Sequence, residues 1–127
     1  MFEYDSLMPG GFVHLDVRSF FSLKEGAFSP EALARRAAEL HMSAIALADR
    51  DGLYGTARFV DACEREGVRP ILGASLTVRE AGTLPLPRSG RPSADASVVL
   101  FARDAAGYAN LCRLVTDAHM TGERGRR

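Results

Sequence analysis

Residues 43–52, Ser-Ala-Ile-Ala-Leu-Ala-Asp-Arg-Asp-Gly, set an almost unbroken apolar run against an abrupt charged stop. A run so short and so apolar, over residues 43–48, suits a strand buried on both faces, and such strands belong to parallel sheets covered by helices. Asp49, Arg50, Asp51 and Gly52 close it with turn residues.

The flanks agree with that reading. Upstream, Ser29 and Pro30 offer an N-cap and a first-turn proline, with Leu33, Ala37 and Leu40 following at helical spacing and Glu31, Arg35 and Glu39 on the opposite face. Downstream, residues 55–66 predict a second helix, with Phe59, Val60 and Cys63 inward and Gly67 as its stop. A strand is expected before the first helix, over residues 12–17, where Val13, Leu15 and Val17 alternate with His14 and Asp16. Residues 70–78 and 97–102 read as further strands, separated over 80–95 by a surface loop rich in proline and glycine. A last helix opens at Asp104, carries Tyr108, Leu111, Cys112, Val115 and Ala118 inward, and stops at Gly122.

The order β-α-β-α-β-loop-β-α predicts an α/β architecture of parallel β/α units with right-handed crossovers. A closed (β/α) barrel needs about 250 residues, and the chain has 127. The expectation is therefore about half of a barrel, with an exposed sheet edge that makes a fragment of a longer protein the favoured origin. Residues 1–11, with Gly10 and Gly11, read as a flexible lead-in, and residues 123–127 as a basic tail.

Composition excludes several classes. With 46% hydrophobic and 25% charged residues the chain is of ordinary globular type. Sixteen basic residues balance sixteen acidic ones, so no basic stripe advertises direct nucleic-acid contact. Cys63 and Cys112 fall inside apolar helical patterns and read as reduced thiols, which points to the cytoplasm. No apolar run reaches the roughly 20 residues of a membrane span, and no signal peptide pattern is present.

Three stretches fall at the C-terminal ends of successive expected strands, the edge where parallel α/β folds build sites. They are His14-Leu15-Asp16-Val17-Arg18-Ser19, Leu47-Ala48-Asp49-Arg50-Asp51-Gly52 and Ile71-Leu72-Gly73-Ala74-Ser75. Together with Ser22-Leu23 and Tyr54-Gly55 they resemble the PHP domain, over residues 12–122. Phe101-Ala102-Arg103-Asp104 and Gly107-Tyr108-Ala109-Asn110-Leu111 bring the resemblance nearest to the N-terminal PHP domain of bacterial C-family DNA polymerases, the DNA polymerase III alpha group and its error-prone branch.

In that family the three stretches read His-x-His-Ser, Thr-Asp-His and Gly-x-Glu, and their side chains hold two or three metal ions. The resemblance places Asp16 and Arg18 at the two histidine positions, Asp49 at the family aspartate, Arg50 at the next histidine and Ser75 at the glutamate. Arginine has no acceptor atom and stays protonated, so Arg18 and Arg50 repel a cation. What remains is a vestigial pair, Asp16 and Asp49, able to give at most a weak divalent-metal site. Carboxylates stripped of a metal cluster need another counter-charge in a partly buried cleft. The expectation is that Arg18 and Arg50 pair with Asp16, Asp49 or Asp51. His14, His41 and His119 lack a second ligand at metal spacing and read as structural.

The resemblance implies a segment of a polymerase acting in DNA replication or error-prone repair synthesis. Its expected partners are the remainder of the polymerase chain or replication and repair proteins, with DNA met only through the full-length protein. The segment itself carries no assigned catalytic residue and no cofactor beyond that weak metal. Two alternatives stand beside it: a small metal-dependent PHP phosphoesterase, and an orphan domain that binds a protein partner by completing its half-barrel.

Overall fold

The structure, a computed structural model, describes residues 11–78 and 96–121. The lead-in over 1–11 apart from Gly11, the loop over 80–95, Gly122 and the basic tail lie outside these residues. Six elements follow in the order α1 (Pro30–Glu39), β1 (Ala44–Arg50), α2 (Thr56–Glu66), β2 (Arg69–Val78), β3 (Ala96–Phe101) and α3 (Ala105–Thr121).

Local chemistry fixes the helix ends. The Ser29 hydroxyl accepts from the Ala32 amide at 3.1 Å, and Pro30 occupies the first helical position, where its missing N–H costs nothing. Gly67 ends α2 in the left-handed region at φ 71°, where a side chain would be strained. Asp104 caps α3, its carboxylate accepting from the Gly107 amide at 2.7 Å.

β1 is buried from Ala44 through Asp49, as the apolar run predicts. Ile45 and Leu47 enter a core shared with Ala34 and Ala37 of α1, Phe59, Ala62 and Cys63 of α2, and Val68. By the two-residue period of a strand, Ala46 and Ala48 face the other way. Burial pushes the Cys63 thiol up to about 11, so it stays protonated and inert, as expected of a reduced interior thiol. Some inward assignments shift: Leu40 and Ala118 are exposed, and Ala34 and Ala62 take the buried positions. On the charged face of α1, Glu31 is drawn to the next helix, receiving a two-pronged contact from Arg58 of α2 at 2.6 and 2.8 Å.

The sheet order is β1-β2-β3. β1 and β2 pair in parallel, with Ala44 opposite Arg69 and Arg50 opposite Ser75, joined through α2 as a β/α crossover. β3 departs from the expected all-parallel order by pairing antiparallel to β2, with Gly73 opposite Phe101 and Val78 opposite Ala96. Alternation in a sequence marks a strand without giving its direction. A parallel return needs a crossover, usually helical, and the intervening residues 79–95, with Pro85, Pro87 and Pro92, have no helical pattern to supply one.

The strand expected over residues 12–17 reduces to an extended edge segment with a single parallel bridge, Val17 to Leu47. The His14 and Val17 carbonyls accept from the Ala46 and Ala48 amides at 2.9 and 2.8 Å. Three residues on this segment thus span two on β1, a mismatch of the bulge kind that interrupts a ladder. Phe12 and Leu15 remain exposed, so the alternation there does not correspond to a covered face.

Candidate functional site at the strand ends

The carboxyl ends of β1 and β2 and the turn after Val17 bring together Asp16, Arg18, Asp49, Arg50 and Ser75, all singled out by sequence. They do not form one cluster. Asp49 stands apart in an uncharged pocket, and the two arginines converge on a residue the sequence reading missed, Glu25.

Asp49 is 2% exposed, and both its oxygens are engaged. Oδ1 accepts from the Ser19 amide and the Ser22 hydroxyl, and Oδ2 accepts from the Ser19 hydroxyl, each at 2.7 Å. The two serines are themselves satisfied. Ser22 Oγ accepts from the Arg50 amide at 2.8 Å and Ser19 Oγ from the Phe21 amide at 3.3 Å. Among the described residues no buried side-chain polar atom lacks a partner. Burial without orphans is the condition for a polar network to hold a loop in one arrangement.

Arg18 reaches Glu25 through Nη1 and Oε2, and its Nη2 donates to Ser75 Oγ at 3.2 Å while lying 3.7 Å from Asp16. Arg50 Nη2 meets the other Glu25 oxygen, Oε1, at 2.7 Å. One carboxylate thus bridges two guanidiniums, each taking a different oxygen. The expected pairing of Arg18 with Asp16 is present, but neither arginine pairs with Asp49 or Asp51. The Asp51 carboxylate instead accepts from the Thr77 amide and hydroxyl at 2.8 and 2.9 Å, tying the turn after β1 to the end of β2.

Glu25 sits in a turn that local pattern does not mark. The Glu25 and Gly26 amides both donate to the Ser22 carbonyl at 3.0 Å. A Cβ on Gly26 would lie 2.1 Å from the Ser19 carbonyl oxygen, so only glycine lets the chain double back this closely. The usable signal was a lone acidic residue before a glycine, seven positions after Arg18.

A divalent ion needs several oxygen or nitrogen donors that are free to turn toward it. Here the Asp49 oxygens already accept three hydrogen bonds, and Asp16 has a guanidinium 3.7 Å away. No group of three or more His, Cys, Asp or Glu residues among those described is placed to hold an ion. This donor set does not fit a divalent metal.

Two of the three histidines, His14 and His119, contact other protein groups. His14 packs edge-on against Phe12 with ring centres 4.6 Å apart. His119 of α3 makes a 2.6 Å contact through Nε2 with the Asp51 carbonyl, which requires the ring to donate there. A cleft of about 400 Å³ opens beside this contact, lined by Leu53, Tyr54, Cys112, Val115, His119 and Met120. It is mainly apolar and holds no carboxylate or arginine. None of the helices among the described residues is long and apolar enough to cross a membrane.

Comparison with known proteins gives a consistent picture. The PHP domain family matches residues 14–127. The error-prone DNA polymerase of Anaeromyxobacter sp. (strain K) is 51% identical over 108 residues, covering 85% of this chain and 9% of that protein. The DNA polymerase III subunit alpha of Caulobacter vibrioides is 38% identical over 110 residues, covering 87% of this chain and 9% of that protein. The chain thus spans about a tenth of the length of these relatives. Among solved structures, an amidohydrolase from Chromobacterium violaceum superposes with a TM-score of 0.58 at 23% identity, covering 85% of this chain and 34% of that one. That likeness concerns the fold, and the described elements correspond to part of a β/α barrel.

Proposed function

Because the chain belongs to the PHP domain family, we propose that it serves as the N-terminal PHP segment of a DNA polymerase III alpha-like polymerase of the error-prone branch. In this reading the full-length protein works in the cytoplasm, in DNA replication or repair synthesis. The segment itself is structural: it braces the rest of the polymerase chain or contacts replication and repair proteins, and it meets DNA only through the complete enzyme. The similarity to error-prone polymerases at 51% identity supports the polymerase context. One observation carries the structural role. Two guanidiniums bridged by Glu25 stand at the strand ends where the family resemblance implies metal ligands.

Asp16 and Asp49 are in this view remnants of a metal site, and Arg18, Arg50 and Ser75 are replacements of ligands. A phosphoesterase working through metal-activated water needs a cation that the Arg18 and Arg50 guanidiniums repel. The test is metal analysis of the purified chain, with an assay for phosphate release from an aryl phosphate in added manganese. Sub-stoichiometric metal and no release are expected. Stoichiometric zinc or manganese, or phosphate release abolished by Asp49→Ala, overturns the structural reading. The polymerase context is checked separately by reading the coding sequence beyond codon 127 for the polymerase palm and thumb.

A further inference from the structure

Glu25 is used in a way the structural reading alone does not require. Its carboxylate receives Arg18 on Oε2 and Arg50 on Oε1, and Arg18 also holds the buried Ser75 hydroxyl at 3.2 Å. Arginines recognise carboxylate and phosphate groups by donating to both oxygens of the anion, and here that double contact is shared between two guanidiniums. We infer that Arg18, Arg50 and the Ser75 hydroxyl form an oxyanion clamp of the phosphate or carboxylate class, whose ligand in this chain is its own Glu25.

The charge count explains why the clamp is closed. Arg18 and Arg50 bring two positive charges, and Glu25 with Asp16, 3.7 Å from Arg18, brings two negative ones. A free anion entering would have to displace Glu25, leave that carboxylate without its partners and sit beside Asp16. The anion would gain only the guanidinium contacts that Glu25 gives up, so the exchange brings no net gain, and the unpaired carboxylate and nearby Asp16 weigh against it. Arg18 is only 20% exposed, so the attraction it gives Glu25 is less weakened by water than that of a surface pair. Glu25 is also held in place from behind, because its turn is built on Ser22 and Ser22 is bound to Asp49.

Removing the Glu25 carboxylate takes from Arg50 that ion-pair partner and leaves Arg18 with Asp16, with space where an anion of carboxylate size had been. This inference rests on the reading that no metal occupies the strand ends, and its test keeps the two apart. The 127-residue chain, its Glu25→Ala and Glu25→Ser variants, and Glu25→Ala combined with Arg18→Met are titrated with inorganic phosphate by calorimetry at low and high salt. Glu25→Ala should bind phosphate at least about tenfold more tightly than the unmodified chain, the equivalent of one charge-assisted contact. The gain should weaken with salt and vanish when Arg18→Met is added. A folded Glu25→Ala protein with no gain overturns the clamp, as does a gain that survives loss of Arg18. If Glu25→Ala does not fold, Glu25→Ser decides, since it too removes the charge and leaves the space for an anion while keeping a polar side chain in the turn. There too, phosphate affinity no better than that of the unmodified chain overturns the inference. A parallel manganese titration of the unmodified chain addresses the other reading: stoichiometric uptake sinks the loss of metal, whatever the phosphate results.

Discussion

Asp49 has only neutral hydrogen-bond donors around it, although two arginines stand nearby. Its partners Ser19 and Ser22 fix the turn that places Glu25, so the aspartate that matches the family pattern acts here as a loop anchor. Asp49→Ala strands the buried Ser19 amide and removes the acceptor of two hydroxyls, which predicts a loss of roughly 2–4 kcal/mol. Urea denaturation checks this, with a lower midpoint and an unchanged slope expected. Asp49→Asn, which retains volume and one acceptor, should lose less. At this scale sequence reading was uneven for a physical reason. Ser29, Pro30 and Gly67 act on backbone a few residues away, so local pattern reveals them. Glu25 meets Arg50 with a helix and a strand of chain between them, and no spacing rule connects those positions.

The helix pair α1 and α2 is joined on its outer side by Glu31 and Arg58, and on its inner side by the shared core. The hydrogen bond from Arg58 holds the Glu31 carboxyl down from its ordinary 4.5 to about 2. A carboxyl lowered on folding stabilises the native state fully above its unfolded value and loses that effect as pH falls through the folded value. The clasp should therefore weaken between about pH 4.5 and about pH 2. Both side chains are partly exposed to water, so the effect is small, well below that of Asp49→Ala. Thermal melts across that range, compared with Arg58→Met, should show a shallower acid loss in the variant. The strands illustrate the limits of pattern at this scale. β1 was legible because burial on both faces leaves a continuous apolar run, whereas the antiparallel course of β3 was not, since alternation is the same read in either direction.

Across the whole molecule, burial is concentrated around β1, α1 and α2, while α3 has a single buried side chain, Leu111, and exposes Leu114 and Met120. Amide exchange should follow that gradient: slowest in β1 and α2, fastest in the second half of α3, as measured by deuterium uptake with mass spectrometry. Equal protection throughout would contradict it. The reversal of β3 has a consequence of its own. It carries the chain back past Leu72, whose carbonyl takes the Ala102 amide at 2.8 Å, before α3 begins. α3 then returns to the site edge, where His119 meets the Asp51 carbonyl. The helix works as a measuring rod with a phase. Each residue advances it about 1.5 Å and turns it by about 100°, so one residue gained or lost between Tyr108 and His119 would swing the imidazole off its mark. Substitutions on the outer side of α3 leave that distance and angle intact, and it is the count of residues, more than their identity, that this part of the chain has to keep.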